Sequence, residues 1–151
     1  MENNNEIVKW GDSYATGIDI IDNQHRELVH LTNHLYQACL KGNSEAETVF
    51  QKAMSSMVEY VRFHFTSELE LLKRINYPKY SEHKKLHDAL VLKILDTSKE
   101  YSDGKKFVPH SFVRSLKDWV FGHIALYDKS YSQYISEQKS KGLLTDKQIS
   151  G

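Results

Sequence analysis

The chain has 151 residues, 40% hydrophobic and 26% charged, a composition that fits one soluble globular domain with its own core. Its 20 Lys and Arg balance its 20 Asp and Glu, which argues against a nucleic-acid backbone as the main partner. Cys39 is the only cysteine, so an internal disulfide and a multi-cysteine zinc site are excluded. The polar start Met1-Glu2-Asn3-Asn4-Asn5-Glu6 has no apolar signal-peptide core behind it. No stretch approaches the roughly 18 apolar residues of a membrane span. No membrane association is expected, and the expected compartment is the cytoplasm.

Residues 1–21 read as an extended arm carrying Trp10, Tyr14, Gly17 and the alternating pair Ile18/Ile20. A first helix is predicted over about 22–41, with Leu28, Leu31, Leu35 and Ala38 on one stripe and Gly42 as its stop. Ser44-Glu45-Ala46-Glu47 has the capping-box pattern and opens a second helix over 44–75 through Val49, Phe50, Ala53, Met57, Val61, Phe65, Leu69 and Leu72. Asn76-Tyr77-Pro78 ends it. A third helix fits 81–100, with Leu86, Leu90, Ile94 and Leu95 inward, followed by the loop signal Ser102-Asp103-Gly104. Pro109 suits the first turn of a fourth helix over 109–138. Residues 139–151 read as a loosely attached polar tail. Long helices joined by short loops predict an all-α, antiparallel up-down four-helix bundle with an extended N-terminal arm.

Each predicted helix carries histidines within its apolar stripe. They are His25, then His64 with Glu68, His83 with His87, and His123 with Asp128. Residues four apart on a helix lie about 40° apart on one face, so His64/Glu68 and His83/His87 each present two donors side by side. A bundle brings all seven side chains to one point. Leaving several unpaired imidazoles and two carboxylates in a core carries a large desolvation cost, which coordination removes. Imidazole with carboxylate suits iron and also accepts manganese or zinc. Asp128 is out of pattern: five residues after His123 it points about 140° away on a regular helix. A π-turn between Gly122 and Asp128 would bring it into line, and such turns concentrate at functional sites.

The other histidines serve as controls. His30 and His34 fall on the opposite side of the first helix from His25, and His110 sits beside Pro109 at a helix start. None of the three is expected at the centre. Cys39 lies about 20 Å along the helix from His25 and is expected as a small buried core residue.

The order His, His-x3-Glu, His-x3-His, His-x4-Asp resembles the hemerythrin family, in particular its single-domain bacterial members. The flanking words match as well: Gly17-Ile18-Asp19-Ile20-Ile21-Asp22-Asn23-Gln24-His25, His64-Phe65-Thr66-Ser67-Glu68, Asn76-Tyr77-Pro78 ahead of His83-Lys84-Lys85-Leu86-His87, and Trp119 four residues before His123. The resemblance covers residues 8–138. It implies reversible O2 binding at a non-haem di-iron site. His83, His87 and His123 would hold one iron, and His25 and His64 the other. Glu68, Asp128 and an oxo or hydroxo group would bridge the two. The matching oxygen pocket is Leu28, Phe65, Trp119, Val120 and Ile124, a dry wall that protects the bound ligand from water.

Oxygen storage, buffering or delivery is therefore the first functional expectation. The alternatives are an oxygen or redox sensor acting through a partner protein, a slow di-iron redox enzyme for peroxide, nitric oxide or ferrous iron, and a purely structural zinc site.

Overall fold

The structure is a computed structural model that describes residues 6–40, 44–102 and 109–151. The side chains of Ser44, Glu47 and His110, together with Gly42 and the Asp103-Gly104 loop, lie outside the described residues. Helix α1 spans Asp19–Leu40, α2 Ser44–Arg74, α3 Tyr80–Ser102 and α4 Pro109–His123. A π-turn, Ile124–Asp128, joins α4 to α5, Lys129–Ser140, and a short α6, Asp146–Ser150, ends the chain.

Helix α1 packs on α2 and α4, α2 on α3, and α3 on α4. Each helix thus lies beside its chain neighbour and the ring closes, which is the up-down bundle. Two apolar clusters fill it. The larger is built around Leu28, Leu35, Met57, Val61, Phe65, Leu116, Val120 and Ile124. The smaller, at one end, contains Ile18, Ile21, Leu72, Ile75, Tyr131 and Ile135. Among the described residues no segment forms a strand, and no helix is long and apolar enough to cross a membrane.

The arm is held by α1. Asn33 accepts from the amides of Ile7 and Val8 (2.8 and 3.1 Å) and donates to the Val8 carbonyl (2.8 Å). Helix α1 begins at Asp19, ahead of the start expected near Asp22, because the Asp22 carboxylate turns back on the preceding segment. It accepts from the Thr16 amide (2.7 Å), the Thr16 hydroxyl (2.8 Å) and the Gly17 amide (3.1 Å). Gly17, at φ 81°, makes the turn that allows this. The strand-like alternation of Ile18 and Ile20 therefore gives way to helical spacing: Ile18 and Ile21 are buried, and Ile20 is exposed.

Helix α2 stops at Asn76, whose φ of 55° lets the Tyr77 amide donate back to the Leu72 carbonyl (2.9 Å). Cys39 is half-buried against the larger cluster rather than enclosed within it.

The C-terminal segment also differs from the loose tail expected of its composition. Helix α5 closes at Gly142, φ 72°, with the Leu143 amide donating to the Gln138 carbonyl (2.9 Å). Thr145 and Gln148 then form a reciprocal capping box on α6. Ile149 enters the smaller apolar cluster, and the Arg74 guanidinium donates to the carbonyls of Gln148 (2.7 Å) and Ile149 (2.9 Å). Ile149, with Leu144 packed beside the same cluster, and the Arg74 guanidinium thus dock a segment that is mostly polar.

Candidate metal centre

The seven side chains singled out in the sequence converge in the middle of the bundle, all buried. Helix α1 supplies His25, α2 supplies His64 and Glu68 one turn apart, α3 supplies His83 and His87 likewise, and α4 supplies His123. Asp128 closes the π-turn, so the five-residue interval becomes a single turn and its carboxylate faces inward. His30 and His34 are exposed on the far side of α1.

The two carboxylates divide their oxygens between two groups of histidines. Glu68 Oε1 stands 2.7 Å from His83 Nε2 and 3.1 Å from His87 Nε2. Glu68 Oε2 stands 3.2 Å from His64 Nε2 and 3.7 Å from His25 Nε2. Asp128 repeats the division. Its Oδ1 lies 3.2 Å from His83 and 3.1 Å from His123, and its Oδ2 lies 3.2 Å from His25. Two donor sets result, Glu68/His83/His87/His123/Asp128 and His25/His64/Glu68/Asp128, each with its ligand atoms within 4.8 Å of one another.

Electrostatics gives this arrangement its meaning. Burial opposes charge on Glu68, but four histidines around it hold its carboxyl well below the ordinary range. Asp128 is likewise lowered: burial and Glu68 push it upward, and His123, His25 and His83 outweigh them. Burial lowers His25 and His83, yet the two carboxylates reverse this and raise each to about 9. Burial wins at His87, which is lowered. In the metal-free centre the two carboxylates and the His25 and His83 imidazoles thus favour each other's charged forms.

That balance is incomplete in geometry. Both Asp128 oxygens are buried without a hydrogen-bond partner, although imidazole nitrogens stand 3.1–3.2 Å away. An unpartnered buried carboxylate is costly, and a cation between it and the imidazoles would satisfy it. The donor set and this orphaned carboxylate fit metal ions.

Two residues that the spacing did not single out complete the centre. Gln24 Oε1 accepts from His64 Nδ1 at 2.7 Å, which fixes the tautomer and leaves the Nε2 lone pair facing Glu68. The Tyr131 hydroxyl donates to Glu68 Oε2 at 3.0 Å. Burial, then the Glu68 and Asp128 charges, raise that phenol well above its usual pKa. Their sequence signals were faint: Gln24 directly precedes a ligand, and Tyr131 follows Asp128 by three, nearly one turn.

Of the expected apolar wall, Leu28, Phe65, Val120 and Ile124 are buried, and Phe65 stacks on His87 with centroids 3.8 Å apart and planes 4° apart. Trp119 is only half-buried, with the Lys93 ammonium 4.2 Å from its ring centre. Among the described residues, a groove and a cleft reach candidate ligands. The groove, of ≈ 560 Å³, lies between α2 and α3 at Phe65 and His87; the cleft, of ≈ 220 Å³, lies beside the π-turn at His83. A cavity of ≈ 570 Å³ at the start of α1 touches no candidate ligand.

A helical bundle with buried imidazoles and shared carboxylates at its centre defines a metal-binding helical protein. The profile of the hemerythrin HHE cation binding domain matches residues 16–135. This chain belongs to the hemerythrin family. It is 27% identical over 146 residues to a bacteriohemerythrin of Stenotrophomonas maltophilia, an alignment covering 91% of this chain and 93% of that one. It is 30% identical over 142 residues to one of Pseudomonas aeruginosa, covering 94% and 90%. A wild-type hemerythrin crystal structure superposes with a TM-score of 0.77 at 27% identity, covering 84% of this chain and 96% of that chain.

Proposed function

We propose that this protein binds O2 reversibly at a non-haem di-iron centre, as a carrier or store rather than a catalyst. His83, His87 and His123 would hold one iron and His25 and His64 the other, with Glu68 and Asp128 shared between them. The observation that carries this reading is the division of both carboxylates between a three-histidine and a two-histidine set. A carboxylate facing both histidine sets would lower the repulsion between two cations held there, and the set with fewer histidines would have room for a small ligand. Bound there as a ferrous pair, the metals would supply the electrons for reversible O2 binding.

The rest is done by the chain. Gln24 holds the His64 ring in one tautomer, and Tyr131 holds the Glu68 carboxylate. Leu28, Phe65, Val120 and Ile124 keep water from the ligand side, as a reversible carrier requires. Membership of the hemerythrin family supports the reading. The test is an optical spectrum of anaerobic, Fe(II)-loaded protein before O2, after O2 and after argon purging. A visible band that appears with O2 and fades on purging is the expected result. Immediate, irreversible loss of the ferrous form would overturn the proposal.

A further inference from the structure

All seven candidate ligands are enclosed, so an ion reaches them only if the bundle opens somewhere. Exposure among them is graded. His123 (6%) and His83 (3%) keep a trace of contact with the surface, whereas His25, His64, Glu68 and Asp128 have none. His83 forms the floor of the ≈ 220 Å³ cleft between α3 and the π-turn, a volume that accommodates several waters. The rim carries polar groups suited to a hydrated cation: the Glu82 carboxylate, the Ser130 hydroxyl and the Tyr127 phenol, with the Lys79 ammonium opposing.

Tyr127 lines this cleft and packs 5.4 Å from the His123 ring, yet it is 39% exposed. Leu126 beside it is 65% exposed. The π-turn over the cleft is thus anchored in the core at its two ends, Ile124 and Asp128, while its outer residues Leu126 and Tyr127 are exposed and free to move without disturbing those ends.

The α2–α3 groove offers a poorer path for a cation. It ends on the Phe65 ring stacked flat on His87 and is walled by Leu69, Val91 and Leu92. Arg62 lies at this groove, and the Asp88 carboxylate there is paired with Lys84 at 2.9 Å.

We propose that the cleft between α3 and the π-turn is the loading entrance of the centre for divalent cations, with Tyr127 as its door. The proposal rests on the reading of the centre as a metal site. Opening displaces the Tyr127 ring from His123 and uncovers the His83 and His123 nitrogens first. Glu82 draws the cation to the rim.

The experiment is stopped-flow binding of Co2+ to the metal-free protein, followed by the cobalt absorption, with release measured into excess chelator. Tyr127→Ala is expected to raise the association and release rates together by about tenfold, the effect of lowering one opening barrier, with Kd unchanged. Ser130→Trp, a filling of the cleft at an exposed position, is expected to slow both with Kd again unchanged. It serves as the independent variant if Tyr127→Ala folds poorly. Glu82→Gln is expected to lower the association rate and flatten its dependence on salt. Parent rates in Tyr127→Ala and Ser130→Trp would overturn the entrance. So would faster release alone with a weaker Kd, since Tyr127 would then merely support His123. Absence of cobalt binding in every form, the parent included, would overturn the metal-site reading and the entrance with it.

Discussion

Tyr131→Phe isolates one buried bond to the centre. The side chain is fully buried, and its hydroxyl donates to Glu68 Oε2 at 3.0 Å. A hydrogen bond to a charged group contributes about 1.5–3 kcal/mol. The lower end applies here for two reasons. Phenylalanine leaves no orphaned donor, and Glu68 Oε2 keeps His64 at 3.2 Å and His25 at 3.7 Å. A loss of about 1.5 kcal/mol in the metal-free protein follows, equivalent to a fall of about 3–6 °C in Tm for a chain of this size. Because the phenol is raised well above its usual pKa, the difference between variant and parent should hold from pH 6 to pH 10. Urea unfolding followed by far-ultraviolet circular dichroism measures it. A loss below about 0.5 kcal/mol, the range of an ordinary surface substitution, would refute the idea that Tyr131 holds Glu68.

Three further outcomes are expected. His25 and His83 are raised to about 9 from an unfolded value of 6.5. The native metal-free state therefore binds more protons at neutral pH, and its stability falls as pH rises through about 9. Metal loading displaces those protons, so affinity should rise over the same interval; a metal-free unfolding midpoint that climbs between pH 7 and 10 would contradict this. Ile149→Ala removes most of the apolar anchor of α6, and trypsin cleavage after Lys147 should accelerate about tenfold while the bundle Tm moves little. Equal cleavage rates would show that Arg74 and Leu144 dock the segment without Ile149. Leu28→Ala should cost about 2–5 kcal/mol as a core truncation and shorten the life of the oxygenated form without lowering iron content. Trp119→Ala should do so less, because Trp119 is half-buried under Lys93; optical decay rates at fixed iron loading compare them.

The bundle and the seven convergent side chains were legible because both depend on helical periodicity, which is local. His64/Glu68 and His83/His87 are neighbours by arithmetic alone. The misfit of Asp128 pointed to the π-turn for the same reason. What escaped depends on partners distant in the chain. Gln24 meets His64 across 40 positions and Tyr131 meets Glu68 across 63, and no spacing rule reports either. The docking of Ile149 was hidden because Leu143, Leu144 and Ile149, the only apolar residues in a polar run, make no helical repeat. The early start of α1 was masked by a short alternation at Ile18 and Ile20, which the Asp22 bonds to Thr16 and Gly17 override.

The π-turn holds one residue more than an α-helical turn would. Deleting one residue among Ile124–Tyr127 would restore unbroken helical register, with the aspartate four places after His123 and still on the inner face. Convergence of the ligands does not need the extra residue. Its effect is on the outer surface, since an unbroken helix of the present length would turn Tyr127 toward the centre, whereas the π-turn sets it outside with Leu126. The identity of the residues governs what the centre can hold, and the number of residues in one turn governs what stands in front of it.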